Sequence, residues 1–145
     1  HARSFYYSLK HPVLLGRLFA SPHWIQLFGD QVVGTIEPPD LESMYANISC
    51  PMLLACPLVI DAALQIAGSW DGYRNGYVSV PVGIETILLG RRPHPNERTR
   101  ALARVVRLEP PEVFYHVTIV GENSEVIAQL YNVHLKRLGG PSVTP

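Results

Sequence analysis

Charge is scarce in this chain. Only 17% of its 145 residues are Asp, Glu, Lys or Arg, and 12 basic residues balance 12 acidic ones. No basic run exists, which argues against nucleic acid and anionic membrane as partners. Long apolar runs are missing too. The longest, Leu58 to Ala67, is broken by Asp61 and Gln65, so it is too short and too polar to span a bilayer. The opening residues His1 to Lys10 lack the apolar core and cleavage site of a secretory signal, and a cytoplasmic location is expected. Methionine does not start the chain, which reads as a cut or processed piece of something longer. Cysteine is limited to Cys50 and Cys56. With no His or Cys partners at metal spacing, this pair gives no zinc pattern and no disulfide framework, only two buried thiols. No cofactor or metal is expected.

What is abundant is apolar surface, 47% of residues, with 13 prolines and 11 glycines that cut the chain into short elements. That balance describes one globular domain over residues 1–145, with Gly139 to Pro145 as a flexible tail. His23 to Phe28 and Gln31 to Glu37 read as two strands around a tight Gly29-Asp30 turn. An irregular apolar stretch follows over residues 40–56. Pro57 then suits the first turn of a helix running from Leu58 to Trp70, closed by Gly72 and Gly76. This helix is apolar on nearly every side, the mark of a buried central helix. Period-two patterns take over afterwards. Strands are expected at Tyr77 to Leu89 (kinked at Pro81 to Gly83), Arg100 to Leu108, Val113 to Val120 and Glu125 to Arg137. A single apolar helix is buried on all sides only if a sheet wraps it. The expected fold class is therefore α+β, one central helix in a curved antiparallel sheet.

On that helix, Asp61 and Gln65 are four residues apart and share one face, which Ser69 extends. A carboxylate in an apolar setting is costly, so it is either satisfied locally or placed where it works. Burial would raise its pKa towards that of a proton donor near neutral pH. The competing reading makes Asp61 a cap on the backbone N–H groups of the helix start. Pattern alone leaves both open.

The stretch from Pro57 to Gln65, Pro-Leu-Val-Ile-Asp-Ala-Ala-Leu-Gln, resembles the H-P-x-L-L-D-A-A-L-Q motif of polyketide synthase dehydratase domains. Val80 to Glu85, Glu125 to Arg137 and, upstream, Phe5 to Leu14 resemble further segments of that family. The resemblance implies a hotdog fold, and within it the C-terminal half of a double-hotdog dehydratase. It implies that Asp61 is the catalytic acid and Gln65 its positioning partner, acting on β-hydroxyacyl chains held by the phosphopantetheine of an acyl carrier protein. Tyr45, Pro57, Leu58 and Ser69 are the expected substrate-binding residues. Tyr6, Tyr7 and Met44 also suit an acyl channel, although aromatics are more often plain core.

The family's second catalytic group is a histidine within H-x-x-x-G-x-x-x-x-P, which is missing here. His11 is followed by Gly16 and Pro22, at the wrong spacing, and is the one weak substitute. The family's His before the helix proline is Cys56 here. Half a site implies a partner, a second hotdog, fused or homodimeric. Other readings are a non-catalytic module for acyl binding or dimerisation, and another hotdog activity such as thioesterase or isomerase. Arg91, Arg92, Arg98 and Arg100 suit a phosphopantetheine contact, with a plain solvated loop as the simpler reading. The histidines His94, His116 and His134 read as structural or exposed.

Overall fold

A computed structural model describes residues 22–38 and 55–139 of the chain. Six strands and one helix follow in the order β1 (Pro22–Phe28), β2 (Gln31–Ile36), α1 (Pro57–Asn75), β3 (Val78–Leu89), β4 (Thr99–Glu109), β5 (Glu112–Val120) and β6 (Val126–Leu138). The strands form one antiparallel sheet in the order β1-β2-β4-β5-β6-β3, with α1 packed on one face. This is the hotdog architecture. The first hairpin turns at Gly29, whose φ of 58° is the left-handed geometry that glycine takes without cost.

The core follows from alternation. Ala101 and Ala103 on β4, Val113, Tyr115, Val117 and Ile119 on β5, and Val133 and Leu135 on β6 point inward and are buried. They meet Val59, Ala62, Ala63, Ile66 and Ala67 of the helix. Small residues let the helix come close. A Cβ on Gly34 of β2 would stand 2.6 Å from Ile66 Cδ1, so only glycine leaves room for that side chain. At the other end Trp70 Nε1 donates to the Gly29 carbonyl at 2.8 Å, tying the helix to the hairpin turn.

The helix runs five residues beyond the expected end at Trp70. Gly72 does not close it; the stop is Gly76, in left-handed geometry at φ 74°, whose N–H bonds the Gly72 carbonyl. The extra turn is held from outside. Asp71 is fully buried and receives both Arg137 Nε and Nη2 at 2.7 Å, with Asn75 and Ser79 donating to it as well. Arg137 also lies over the Tyr77 ring, 4.1 Å from its centroid.

The loop between β3 and β4 is more than a solvated connection. Glu97 is buried there and takes both terminal nitrogens of Arg91, at 2.7 and 2.8 Å, plus the backbone N–H groups of His94 and Glu122. Arg91 also reaches Glu125 at 2.6 Å. These contacts hold the Glu97 carboxyl down at about 2, the Arg91 hydrogen bonds contributing most. Arg98 and Arg100 remain exposed. Arg98 pairs with Glu37 at 3.1 Å and Arg100 reaches Ser124 at 3.4 Å.

β3 is an outer strand of the sheet. Its Val82, Ile87, Leu88 and Leu89 are all exposed, on both faces of the strand. No helix among the described residues is long and apolar enough to cross a membrane.

Candidate active site

Pro57 opens α1 without needing a backbone partner, and Cys56 holds the cap position in extended geometry with no side-chain cap bond. No acidic residue lies in the first turn. Asp61 therefore caps nothing: it stands a full turn inside the helix, and the capping alternative fails on geometry. Its carboxylate is instead bound to Gln65, whose Nε2 donates to Oδ2 at 2.6 Å across one helical turn.

Electrostatics at this pair run in opposite directions. Burial pushes the Asp61 carboxyl up from its ordinary value, and the Gln65 hydrogen bond pulls it back. Burial is the larger effect, so the group holds its proton to a higher pH than a surface aspartate does. The amide donor also stabilises the carboxylate left when the proton departs. The pair can thus give up a proton in a setting that otherwise disfavours charge.

The remaining expected site residues divide. Ser69 is fully buried, and its hydroxyl turns back to the Ile66 carbonyl at 2.6 Å. The hydrogen bonds put it with the helix backbone and not with the Asp61–Gln65 pair. Leu58 is 2% exposed and belongs to the interior, while Pro57 is exposed at the helix start. His11 and Tyr45 lie outside the described residues, as do Tyr6, Tyr7, Met44 and Cys50. Cys56 is half-buried. His94 is exposed in the β3–β4 loop, and His116 and His134 sit on β5 and β6, facing away from the helix. Among the described residues no group of three His, Cys, Asp or Glu side chains is placed to hold a metal ion.

Sequence reading missed the Asp71–Arg137 pair. The signal was present in β6, where Val133, Leu135 and Arg137 share the inward phase. A charge on that apolar row calls for a buried counter-ion.

The family profile described as polyketide synthase dehydratase N-terminal domain matches residues 1–145. Its wording does not bear out the C-terminal placement drawn from the helix motif. No curated protein matches. Among solved structures, the dehydratase domain of RzxB from Pseudomonas fluorescens superposes with a TM-score of 0.74 at 13% identity, over 94% of this chain and 48% of that one. The dehydratase domain from the CurJ module of curacin polyketide synthase gives 0.73 at 14% identity, over 99% and 51%. A thioesterase from Haemophilus influenzae gives 0.59 at 16% identity, over 79% and 77%. The chain spans about half the length of the dehydratase chains it matches. At these identities the superpositions show the hotdog fold alone, and the profile supplies the family. By that match along its whole length, the chain belongs to the polyketide synthase dehydratase family.

Proposed function

We propose that this chain supplies the acid half of a dehydratase site for β-hydroxyacyl thioesters carried on an acyl carrier protein. The observation that carries the reading is Asp61: a carboxyl raised by burial, held by Gln65, on the otherwise apolar first half of the helix. A base on the partner unit removes the α-proton, and the electron pair forms the α,β-double bond. Asp61 donates its proton to the β-hydroxyl as the C–O bond breaks, and water leaves. Gln65 steadies the resulting carboxylate. No cofactor is required by this chemistry.

The second hotdog is expected along β3. Among the described residues this outer strand pairs on one side only, and it exposes Val82, Ile87, Leu88 and Leu89, a surface suited to covering by a like-folded unit. The Pro57 to Gln65 motif supports the second position in the pair. The gene segment upstream of His1 tests that placement: an encoded hotdog with H-x-x-x-G-x-x-x-x-P supports it, and a different upstream domain sinks it.

Activity is tested by offering the full-length protein three pantetheine thioesters, β-hydroxyacyl, saturated acyl and enoyl, and reading products by mass. Loss of water from the first alone is the expected result. Hydrolysis of the second would indicate a thioesterase, and double-bond migration in the third an isomerase. Either outcome without water loss overturns the proposal.

A further inference from the structure

The face of the sheet turned away from α1 carries a row of stacked side chains that the dehydratase reading does not use. Cross-strand register places Arg107 of β4 opposite Phe114 of β5, Phe114 opposite His134 of β6, and His134 opposite Gly83 of β3. The Arg107 guanidinium lies 3.8 Å from the Phe114 ring centroid. The Phe114 and His134 rings stack at 4.6 Å with 12° between their planes. The row then stops at a residue with no side chain. Around the place a Cβ of Gly83 would occupy, no heavy atom of the described residues, its chain neighbours apart, comes within 4 Å. One face of the His134 ring is thus covered by Phe114, and the other looks onto an open slot. Adjacent strands lie about 4.8 Å apart, so the slot is one ring wide.

The slot opens into a groove of about 390 Å³ whose walls include Glu85 and Asn132. Its two ends carry opposite charges. Side chains two residues apart on a strand share a face, about 7 Å from each other. Glu85 therefore stands past Gly83 on β3 at one end, and Lys136 stands past His134 on β6 at the other. Asn132, with left-handed φ of 48° inside β6, donates to Glu85 Oε2 and fixes that carboxylate. The second Glu85 oxygen takes no hydrogen bond from the described residues. Lys136 is exposed and pairs with no carboxylate of the described residues. The other charges of this face lie beyond His134, away from the slot. Glu112 Oε2 stands 3.4 Å from His134 Nε2, and Arg107 is held by Phe114 and by Glu109 at 3.4 Å.

We propose that this groove binds a nucleoside phosphate whose base carries an amino group, with the base in the slot above Gly83. Each part of such a ligand meets a counterpart. The flat base stacks on the open face of His134, as Phe114 does on the other face. Its amino group donates to the open Glu85 oxygen at one end. The sugar spans the two-residue step from His134 to Lys136, and the phosphate meets the Lys136 ammonium at the other end. A simple cation meets Lys136 with like charge, and a simple anion meets Glu85 with like charge. A planar molecule with a donor edge and a distant anionic group avoids both conflicts. An aliphatic chain uses neither the open ring face nor the carboxylate. The inference rests neither on Asp61 nor on any unit paired with β3.

The test is an NMR titration of the His134 ring resonances in the full chain with adenosine monophosphate, against inosine monophosphate and adenosine at equal ionic strength. A saturable shift with adenosine monophosphate is expected. Inosine monophosphate, which turns a carbonyl to Glu85 where adenine has its amino group, binds at least about five-fold more weakly, and so does adenosine, which has no phosphate. Gly83→Val, which fills the slot with a good strand former, abolishes the shift. Glu85→Gln, whose amide can donate to that carbonyl, removes the preference for adenine over hypoxanthine. Lys136→Gln removes the preference for the phosphate over the bare nucleoside. No saturable shift, equal responses to the two monophosphates, or an undiminished response in a folded Gly83→Val chain would overturn the proposal. Asp61→Asn leaves the titration unchanged, so this inference and the dehydratase reading fail separately.

Discussion

Gln65 donates to Asp61 over 2.6 Å, one helical turn away, on a helix with no other carboxylate before Asp71. This contact does two things at once. It satisfies a carboxylate that burial would otherwise penalise, and it lowers the pH of proton release from where burial alone would hold it.

Removing the donor separates those effects. In Gln65→Leu the Asp61 carboxyl loses the interaction that lowers its pKa, and burial acts alone. Because the protonated form does the work, the high-pH limb of a rate–pH profile moves to higher pH. The maximal rate falls about ten- to a hundred-fold from lost positioning. A profile whose high-pH limb stays in place would dissociate Gln65 from Asp61.

Arg137 is 9% exposed and Asp71 fully buried, so neither charge has water to fall back on. Arg137→Met strands the Asp71 carboxylate and should cost about 3–5 kcal/mol in urea unfolding. Asp71→Leu combined with Arg137→Met should cost far less, since no charge is left alone. Equal losses in the single and double variants would refute this account of the pair.

Acid should loosen the loop between β3 and β4. The folded Glu97 carboxyl sits at about 2, below its ordinary value of 4.5, so its contribution is present above pH 4.5 and disappears as pH falls towards 2. Asp61 has the opposite sign: its folded pKa is raised, so protonation at low pH favours the fold. Stability against pH, measured by urea unfolding, should therefore show a flatter slope between pH 4.5 and 2 in Glu97→Gln than in the unaltered chain. An unchanged slope would contradict the assignment.

The exposed edge gives a prediction in solution. Ile87→Lys with Leu89→Lys places two charges on the inward phase of β3 where a partner unit would cover it. Light scattering on the full-length protein should then show loss of hotdog pairing, by release of a bound unit or expansion of a fused one, while circular dichroism keeps its sheet signal. Unaltered mass and size would argue that β3 pairs with nothing.

Much of this was legible in the sequence because it is local. Pro57 marked the helix start, Gly29-Asp30 the first turn, and four-residue spacing the Asp61–Gln65 contact. What escaped is non-local. Gly72 looked like a helix stop, but Arg137, 66 residues away from Asp71, holds the extra turn in place. The buried Glu97 was hidden in a charged loop because its partners Glu122 and Arg91 come from two connections. The outer position of β3 depends on strand order, which alternation does not encode.

The most direct test of the central claim is the rate of water loss from a β-hydroxyacyl carrier-protein substrate by the full-length protein, with and without Asp61→Asn. Asparagine keeps the size and can still face Gln65, but it has no proton to give. The account predicts a fall of about a hundred-fold or more with the fold intact. A folded Asp61→Asn protein that loses water at the original rate would contradict it.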